Sequence, residues 1–448
     1  MSEEDISVIF GDDLEVCGYK IPKTYYECYN TNILVFFLNK TVMKFGIITE
    51  RKCPPDKRVV FSPEKLAEMK ELYPEAEIKV ESSDIRIFKD AEYIEKGFEV
   101  SADVSDCDVL IGVKEVPIDH LIPHKKYIFF SHTIKKQPHN QKMLQAILDN
   151  KIDLYDHETF TGKDNKRLIG FGRYAGNVGA YNGFRAFGIK YELFNLPKAE
   201  SLPDKSALVS RLKKLMLPNI KIVLTGKGKV GMGAKEILDA MKIKEVSVEN
   251  YLSKTYTEPV YVHIDVEHYN KRKDGQPFEK SHFYNNPTEY ISDFERFTKV
   301  SDMFIAGHYY ANEAPVILSR EMLKAPDNKI KVVADISCDV GGPIACNLRA
   351  STIAYPFYGY HPYEDREVDI NHPAAIVVMA VDNLPCELPR DASEGFGEMF
   401  IKHIIPAFFN GDKDEILKRA QITHNGKLTE RYKYLAGYVN ENQKVPQV

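Results

Sequence analysis

Two doubly wound, Rossmann-like α/β domains are what this 448-residue sequence predicts. Short, continuous apolar runs alternate with helical patterns twice over, between residues 43 and about 170 and again from 220 to 381. Such runs read as strands buried on both faces of a parallel sheet. A glycine-rich turn joins strand to helix near the middle of the chain, at Gly226, so a whole domain precedes it. The length suits two or three domains with sizeable cores. At 44% apolar and 28% charged, the composition is that of an ordinary globular protein.

The first 42 residues fit poorly with this pattern. Met43 opens a good first strand, Lys44-Phe45-Gly46-Ile47-Ile48, and reads as the natural start. Residues 1–42 then read as an upstream extension without a role in the chemistry, or alternatively as an extra edge strand. Glu64 to Leu72 predicts a helix, Val109 to Val113 and Tyr127 to Phe130 buried strands, Gln141 to Leu148 a helix, and Asp153-Leu154-Tyr155 a further strand. Tyr174 to Ala180 opens a small-residue helix suited to close packing between domains. In the second half, strands are expected at 220–225, 245–249, 303–306, 331–335 and 375–381. The polar stretch His268 to His282 reads as a surface loop, and helices return after Asp382-Asn383-Leu384-Pro385 to pack on the first domain.

The central turn carries the clearest chemistry. Ile222-Val223-Leu224-Thr225 runs into Gly226-Lys227-Gly228-Lys229-Val230-Gly231, and Ala234 to Leu238 continues as a helix. In G-x-G-x-x-G the first glycine makes the tight turn, the second lets backbone approach a pyrophosphate, and the third lets helix and strand pack closely. The helix N-terminus then offers free N–H groups to the phosphates. Glu249, closing the predicted strand Val246-Ser247-Val248-Glu249, is the expected partner of the adenosine ribose. A carboxylate there favours NAD, while Lys227, Lys229 and Lys254 are able to offset a 2′-phosphate and keep NADP open.

Composition excludes other classes. A net charge of −5 leaves no basic footprint for nucleic acid. The most apolar stretch, Ile33 to Leu38, is too short to span a membrane and lacks the flanks of a signal peptide. Seven cysteines with no C-x-x-C pair read as reduced thiols of a cytoplasmic protein, with no metal site.

In the first domain, polar residues gather where buried strands end. Lys114 and Glu115 follow one strand and His132 the next, and ligands of open parallel sheets sit outside such ends. A lysine that is partly desolvated or near other cations becomes a usable base. The same residues also fit a solvated loop lysine and a capping histidine. Arg58, Lys135 and Arg167 are further cations in this half; each alone reads as a surface charge, and together they are able to clamp the carboxylates of a small-molecule amino-acid substrate bearing several of them.

At these residues the chain resembles a known group. Glu50 to Pro63, Gly112-Val113-Lys114-Glu115-Val116-Pro117 and Phe130-Ser131-His132-Thr133 are similar to motifs of the alanine dehydrogenase and transhydrogenase superfamily. A narrower resemblance, to lysine-forming saccharopine dehydrogenase and the lysine–ketoglutarate reductase domain, rests on Leu154 to Glu158, Gly170 to Gly176 and Ala334 to Asp339. Asp382 to Arg390 and Ile422 to Leu428 add to it.

The resemblance implies a substrate domain formed by both chain ends, residues 43–172 and 383–448, around a central dinucleotide-binding domain of residues 173–382. It implies oxidation of saccharopine by NAD and water to lysine, 2-oxoglutarate and NADH. Lys114 would be the base, His132 would manage protons as water adds to the imine, and Arg58, Arg167 and Lys135 would hold carboxylates. Glu115 and Glu158 would tune these cations, and Asp382 would lie near the nicotinamide. The stretch 268–282 and Tyr432-Lys433-Tyr434-Leu435 lean instead toward the NADPH-linked reductase. An alanine dehydrogenase-like enzyme and an inactive cofactor-binding protein complete the alternatives. Oligomeric state is left open.

Overall fold

The computed structural model describes residues 13–16, 19–22, 43–311 and 313–440. Most of the proposed extension, with Ile33 to Leu38, Cys17 and Cys28, lies outside them. Asp13–Val16 and Tyr19–Pro22 pair with each other as an antiparallel hairpin.

The first sheet has six strands: β1 (Met43–Ile47), β2 (Ala76–Glu81), β3 (Glu99–Ser101), β4 (Val109–Ile111), β5 (Lys126–Phe129) and β6 (Asp153–Asp156). Their order is β3-β2-β1-β4-β5-β6, and every neighbouring pair is parallel. Helices α1 (Pro63–Leu72), α2 (Asp90–Glu95) and α3 (Gln141–Asp149) lie among the crossovers. Ser62 starts α1 by accepting a hydrogen bond from the Lys65 N–H at 3.1 Å, with Pro63 in the first turn where its missing N–H costs nothing. Strand order reverses between β1 and β4, so their carboxyl ends open the crevice where a ligand can sit.

Helix α4 (Gly172–Lys190) leads to the second sheet. Its strands are β7 (Lys221–Thr225), β8 (Lys244–Glu245), β9 (Val260–Ile264), β10 (Met303–Ala306), β11 (Val332–Asp335), β12 (Phe357–His361), β13 (Arg366–Val368) and β14 (Ile376–Met379). The order is β8-β9-β7-β10-β11-β14-β12-β13, parallel up to β14, with β12 and β13 antiparallel. Helix α5 (Lys205–Leu212) precedes β7 and α6 (Lys229–Ala240) follows it. The small residues of α4 serve one contact. A Cβ on Gly176 would stand 2.0 Å from the Val230 carbonyl, and one on Gly233 2.1 Å from that of Arg173. Helices α4 and α6 therefore cross backbone against backbone.

The last long helix, α7 (Pro389–His403), returns to the first sheet. Phe396 is fully buried and stacks on Phe171 at 4.3 Å, and Phe400 meets Phe61 edge-on at 5.4 Å. Residues 45–169 and 396–420 thus share one apolar core.

Three expectations fail. The strand predicted at 245–249 stops at Glu245. Ser247 accepts a hydrogen bond from the Asn250 N–H at 3.3 Å and caps a helix, Val248–Ser253, so Glu249 lies exposed in a first helical turn. The strand beside β7 is instead β9, which sequence periodicity did not single out. Finally, residues 268–282 are not a plain loop. Val266–Tyr269 is helical, Asn270–Arg272 pairs with Tyr290–Ser292, and Lys280–Asn285 is a short helix. Phe278, Phe283 and Tyr290 hold this excursion together at ring separations of 5.1–5.5 Å. Those aromatics follow neither the helical nor the strand period, and the charges between them hid the pattern. No helix among the described residues is long and apolar enough to cross a membrane.

Candidate active site between the two sheets

The crevice at β1 and β4 is occupied by the chain itself. Beyond β1, the buried Glu50 carboxyl group accepts hydrogen bonds from the backbone N–H groups of Val113 (2.6 Å) and Lys114 (2.8 Å). Burial pushes Glu50 up to about 8 against those donors. This contact fixes the main chain from which Lys114 projects. The Lys114 Nζ has no hydrogen bond or ion pair among the described residues. Burial, with the Arg58 charge nearby, lowers its pKa.

Arg58 is 2% exposed and is engaged by Asp56, Nε to Oδ1 at 3.0 Å and Nη2 to Oδ2 at 2.6 Å. Burial opposes the Asp56 charge, but Arg58 outweighs it and holds that carboxyl at about 2. The guanidinium lies 4.3 Å over the Phe171 ring, and Nη2 also reaches Asn383 Oδ1 at 3.3 Å. No hydrogen bond of Nη1 is found among the described residues. Cys386 Sγ stands 3.3 Å from Asp56 Oδ2.

His132 follows β5 in the left-handed region, φ 54°, unusual for a residue with a side chain. Asp156, fully buried at the end of β6, holds the turn there. It accepts from the Ser131 N–H (3.0 Å) and hydroxyl, and from the Glu158 N–H (2.6 Å). One carboxylate therefore sets both His132 and Glu158. His132 Nδ1 stands 3.0 Å from Glu158 Oε2, and Nε2 is 3.8 Å from Glu115 Oε1. Lys135 Nζ meets Glu158 Oε1 at 3.0 Å, and Arg167 Nη2 reaches the same oxygen at 3.8 Å. Although burial opposes it, His132 and Lys135 hold Glu158 at about 2. Lys135 Nζ also lies 3.4 Å from Nδ1, so Glu158 and Lys135 share that nitrogen while Nε2 faces Glu115. Lys52 pairs with Glu115 at 3.3 Å and closes the group.

The glycine turn meets a second requirement. Gly226 sits at φ +90°, its N–H bonded to the Ile264 carbonyl at 2.9 Å. A Cβ on Gly231 would fall 1.6 Å from the Gly226 carbonyl, so that site admits no side chain. Gly228 differs, because a Cβ there would meet nothing within 4 Å. Its backbone is extended, and it precedes α6 with no side chain capping the helix. Open space before uncapped helical N–H groups is what a pyrophosphate needs, and the residues fit a dinucleotide. Lys229 reaches across to the carbonyls of Arg167 (3.3 Å) and Leu168 (3.2 Å), so the turn borders the first sheet's cluster. Asp382 is exposed just beyond β14, one residue from the Asn383 that touches Arg58.

The strand end that would present an acid to a ribose is not the one expected. Glu249 is on a helix away from the carboxyl end of the strand beside β7. The acid at that end is Asp265, immediately after β9, whose Ile264 carbonyl binds the glycine turn. Of the lysines expected to offset it, Lys229 is turned toward Arg167, and Lys254 lies beyond the Val248–Ser253 helix. Lys227 remains near Asp265. We expect Asp265→Asn to shift the NADPH/NADH ratio of kcat/KM by about tenfold or more toward NADPH, since a charged hydrogen bond is worth about 1.5–3 kcal/mol. Glu249→Gln should leave the ratio unchanged.

Sequence reading thus brought Lys114, Glu115, His132, Lys135, Glu158, Arg167 and Arg58 to one region, with Gly226, Gly228 and Gly231 facing it. It missed Glu50, Asp56 and Asp156 as their partners, and Asp265 at the end of β9.

The family model described as the alanine dehydrogenase/PNT N-terminal domain matches residues 46–178, and that of the C-terminal domain matches residues 216–431. The chain is 29% identical over 438 residues to the alpha-aminoadipic semialdehyde synthase of Arabidopsis thaliana, covering 87% of this chain and 41% of that protein. With the mitochondrial synthase of Rattus norvegicus it shares 27% over 410 residues, 80% of this chain and 44% of the other. It spans less than half the length of either. With the NAD(+), L-lysine-forming saccharopine dehydrogenase of Yarrowia lipolytica it shares 26% over 346 residues, 73% of this chain and 83% of the relative. In fold it is similar to an L-alanine dehydrogenase (TM-score 0.60, 14% identity, covering 88% of this chain and 99% of the other). A transhydrogenase from Sinorhizobium meliloti is a second likeness (0.52, 17%, 86% and 98%). The chain belongs to the alanine dehydrogenase/PNT family of oxidoreductases.

Proposed function

We propose that this protein catalyses the reversible NAD-linked cleavage of saccharopine, with water, to lysine, 2-oxoglutarate and NADH. The observation that carries the reading is Lys114. It is a half-buried amine with no hydrogen bond or ion pair among the described residues, its charge disfavoured by burial and by Arg58. A site for a single small amino acid needs one cation for its carboxylate. Here Arg58 lies near Lys114, and Lys135 and Arg167 share Glu158 with His132, a set of cations that suits a substrate with three carboxylates.

The bound nicotinamide would supply hydride acceptance and return. The remaining work falls to side chains. Lys114, unprotonated, takes the proton of the substrate's secondary amine as the carbon–hydrogen bond breaks. His132, oriented through Nδ1 by Glu158, moves the protons of the water that adds to the resulting imine. Glu158 also keeps Lys135 and Arg167 at the rim, and Asp382 would stand near the nicotinamide. We assign substrate binding to residues 43–172 and 383–448 and cofactor binding to 173–382. The five described cysteines are all free thiols, in keeping with a reducing compartment such as the cytoplasm.

The test is a substrate panel. NADH oxidation should require lysine and 2-oxoglutarate together, and pyruvate with ammonia should give no rate above background. Turnover with pyruvate and ammonia alone would replace this reading with an alanine dehydrogenase-like one.

A further inference from the structure

The excursion between β9 and β10 places a cation on the acid expected to read the cofactor's ribose. Lys280 Nζ lies 2.7 Å from Asp265 Oδ2. Lys280 opens the short helix whose Phe283 is 5% exposed and packs on Phe278 and Tyr290. His282 Nδ1 meets the Tyr290 hydroxyl at 3.0 Å, fixing the same turn. The Lys280 backbone is therefore anchored, while its side chain is 53% exposed and able to turn toward a ligand. Asp265, 14% exposed, also feels Lys227 from the glycine turn. One carboxylate thus stands between two lysines at the rim of the dinucleotide cradle.

An unaccompanied carboxylate at this point accepts the ribose 2′-hydroxyl and repels a 2′-phosphate. A lysine on the same carboxylate offsets the repulsion and offers the phosphate its own charged donor. We propose that Lys280 is a specificity-determining residue that opens the adenosine subsite to a 2′-phosphate, so that the protein binds both NADP- and NAD-type nucleotides. The proposal rests on the cofactor-site assignment above and adds to it the chemistry of the 2′ position.

Calorimetric titration of the full-length protein with 5′-ADP and with adenosine 2′,5′-bisphosphate tests it without turnover. Wild type should bind both. Lys280→Gln should weaken the bisphosphate about 10- to 100-fold, as loss of a charged hydrogen bond implies, and leave 5′-ADP within about threefold. Asp265→Asn should do the reverse. Thermal unfolding of each variant reports whether the pair merely tethers the excursion. A lower Tm with both nucleotides weakened equally, or an unchanged ratio, would overturn the role of Lys280. Wild type binding neither nucleotide would overturn the cofactor site itself.

Discussion

Lys114→Met is expected to lower kcat by about 10²–10⁴-fold while changing cofactor affinity little, the usual cost of losing a positioned acid–base group. Among the described residues the side chain has no hydrogen bond or ion pair to lose, so the fold should survive and circular dichroism should match wild type. In the oxidative direction Lys114 must be unprotonated. Burial and Arg58 lower its pKa, which brings the working form toward neutral pH. The kcat/KM for saccharopine should therefore fall as pH drops through that pKa, and Lys114→Met should abolish this acid limb. His132→Gln should cost a similar factor. If the two residues serve one sequence of proton transfers, the double variant should lose less than the product of the single losses. A Lys114→Met enzyme with wild-type kcat and an unaltered profile would place the base elsewhere.

The glycine turn gives the second large effect, and it divides two glycines that look alike in sequence. Gly228 has ordinary backbone angles and open space where a side chain would go. Gly228→Val should fold normally, yet weaken NADH binding by about 10- to 100-fold as the side chain enters the pyrophosphate's space. That range is an overpacking cost of about 1–3 kcal/mol felt only in the complex. Gly231→Ala should instead destabilise the free protein, because its Cβ would meet the Gly226 carbonyl at 1.6 Å. Fluorescence titration with NADH and thermal unfolding separate the outcomes. Equal affinity in Gly228→Val and wild type would remove the phosphate site from this turn.

The legible part of the site was the part written locally. Strand, glycines and helix are contiguous at residues 221–240, and Lys114 and His132 directly follow apolar runs. What stayed hidden depends on distant segments meeting. Glu50 binds the Val113 backbone across 63 residues, and Arg58 reaches Asn383 across 325. Charge alone marks these residues as polar and says nothing of their partners. Arg58 looked like a free carboxylate clamp, and the fold gives most of its guanidinium to Asp56. The strand expected to end in an acid was misplaced for a related reason. A helix at Val248–Ser253 intervenes before β9, so Asp265, which follows that strand, lies well beyond the roughly 20-residue spacing common after the glycine turn. Only strand pairing identifies Asp265 as the residue beside it.

The central claim, that one cleft joins lysine to 2-oxoglutarate by hydride transfer, is tested most directly by isotope tracing. The protein is incubated with lysine, 2-oxoglutarate and NADH carrying deuterium at both C4 positions of the nicotinamide, and the product is read by mass spectrometry. Saccharopine with one deuterium, on the α-carbon contributed by 2-oxoglutarate, is the expected product. Lys114→Met should lose that product. Unlabelled saccharopine, or labelled glutamate or alanine in its place, would contradict the claim.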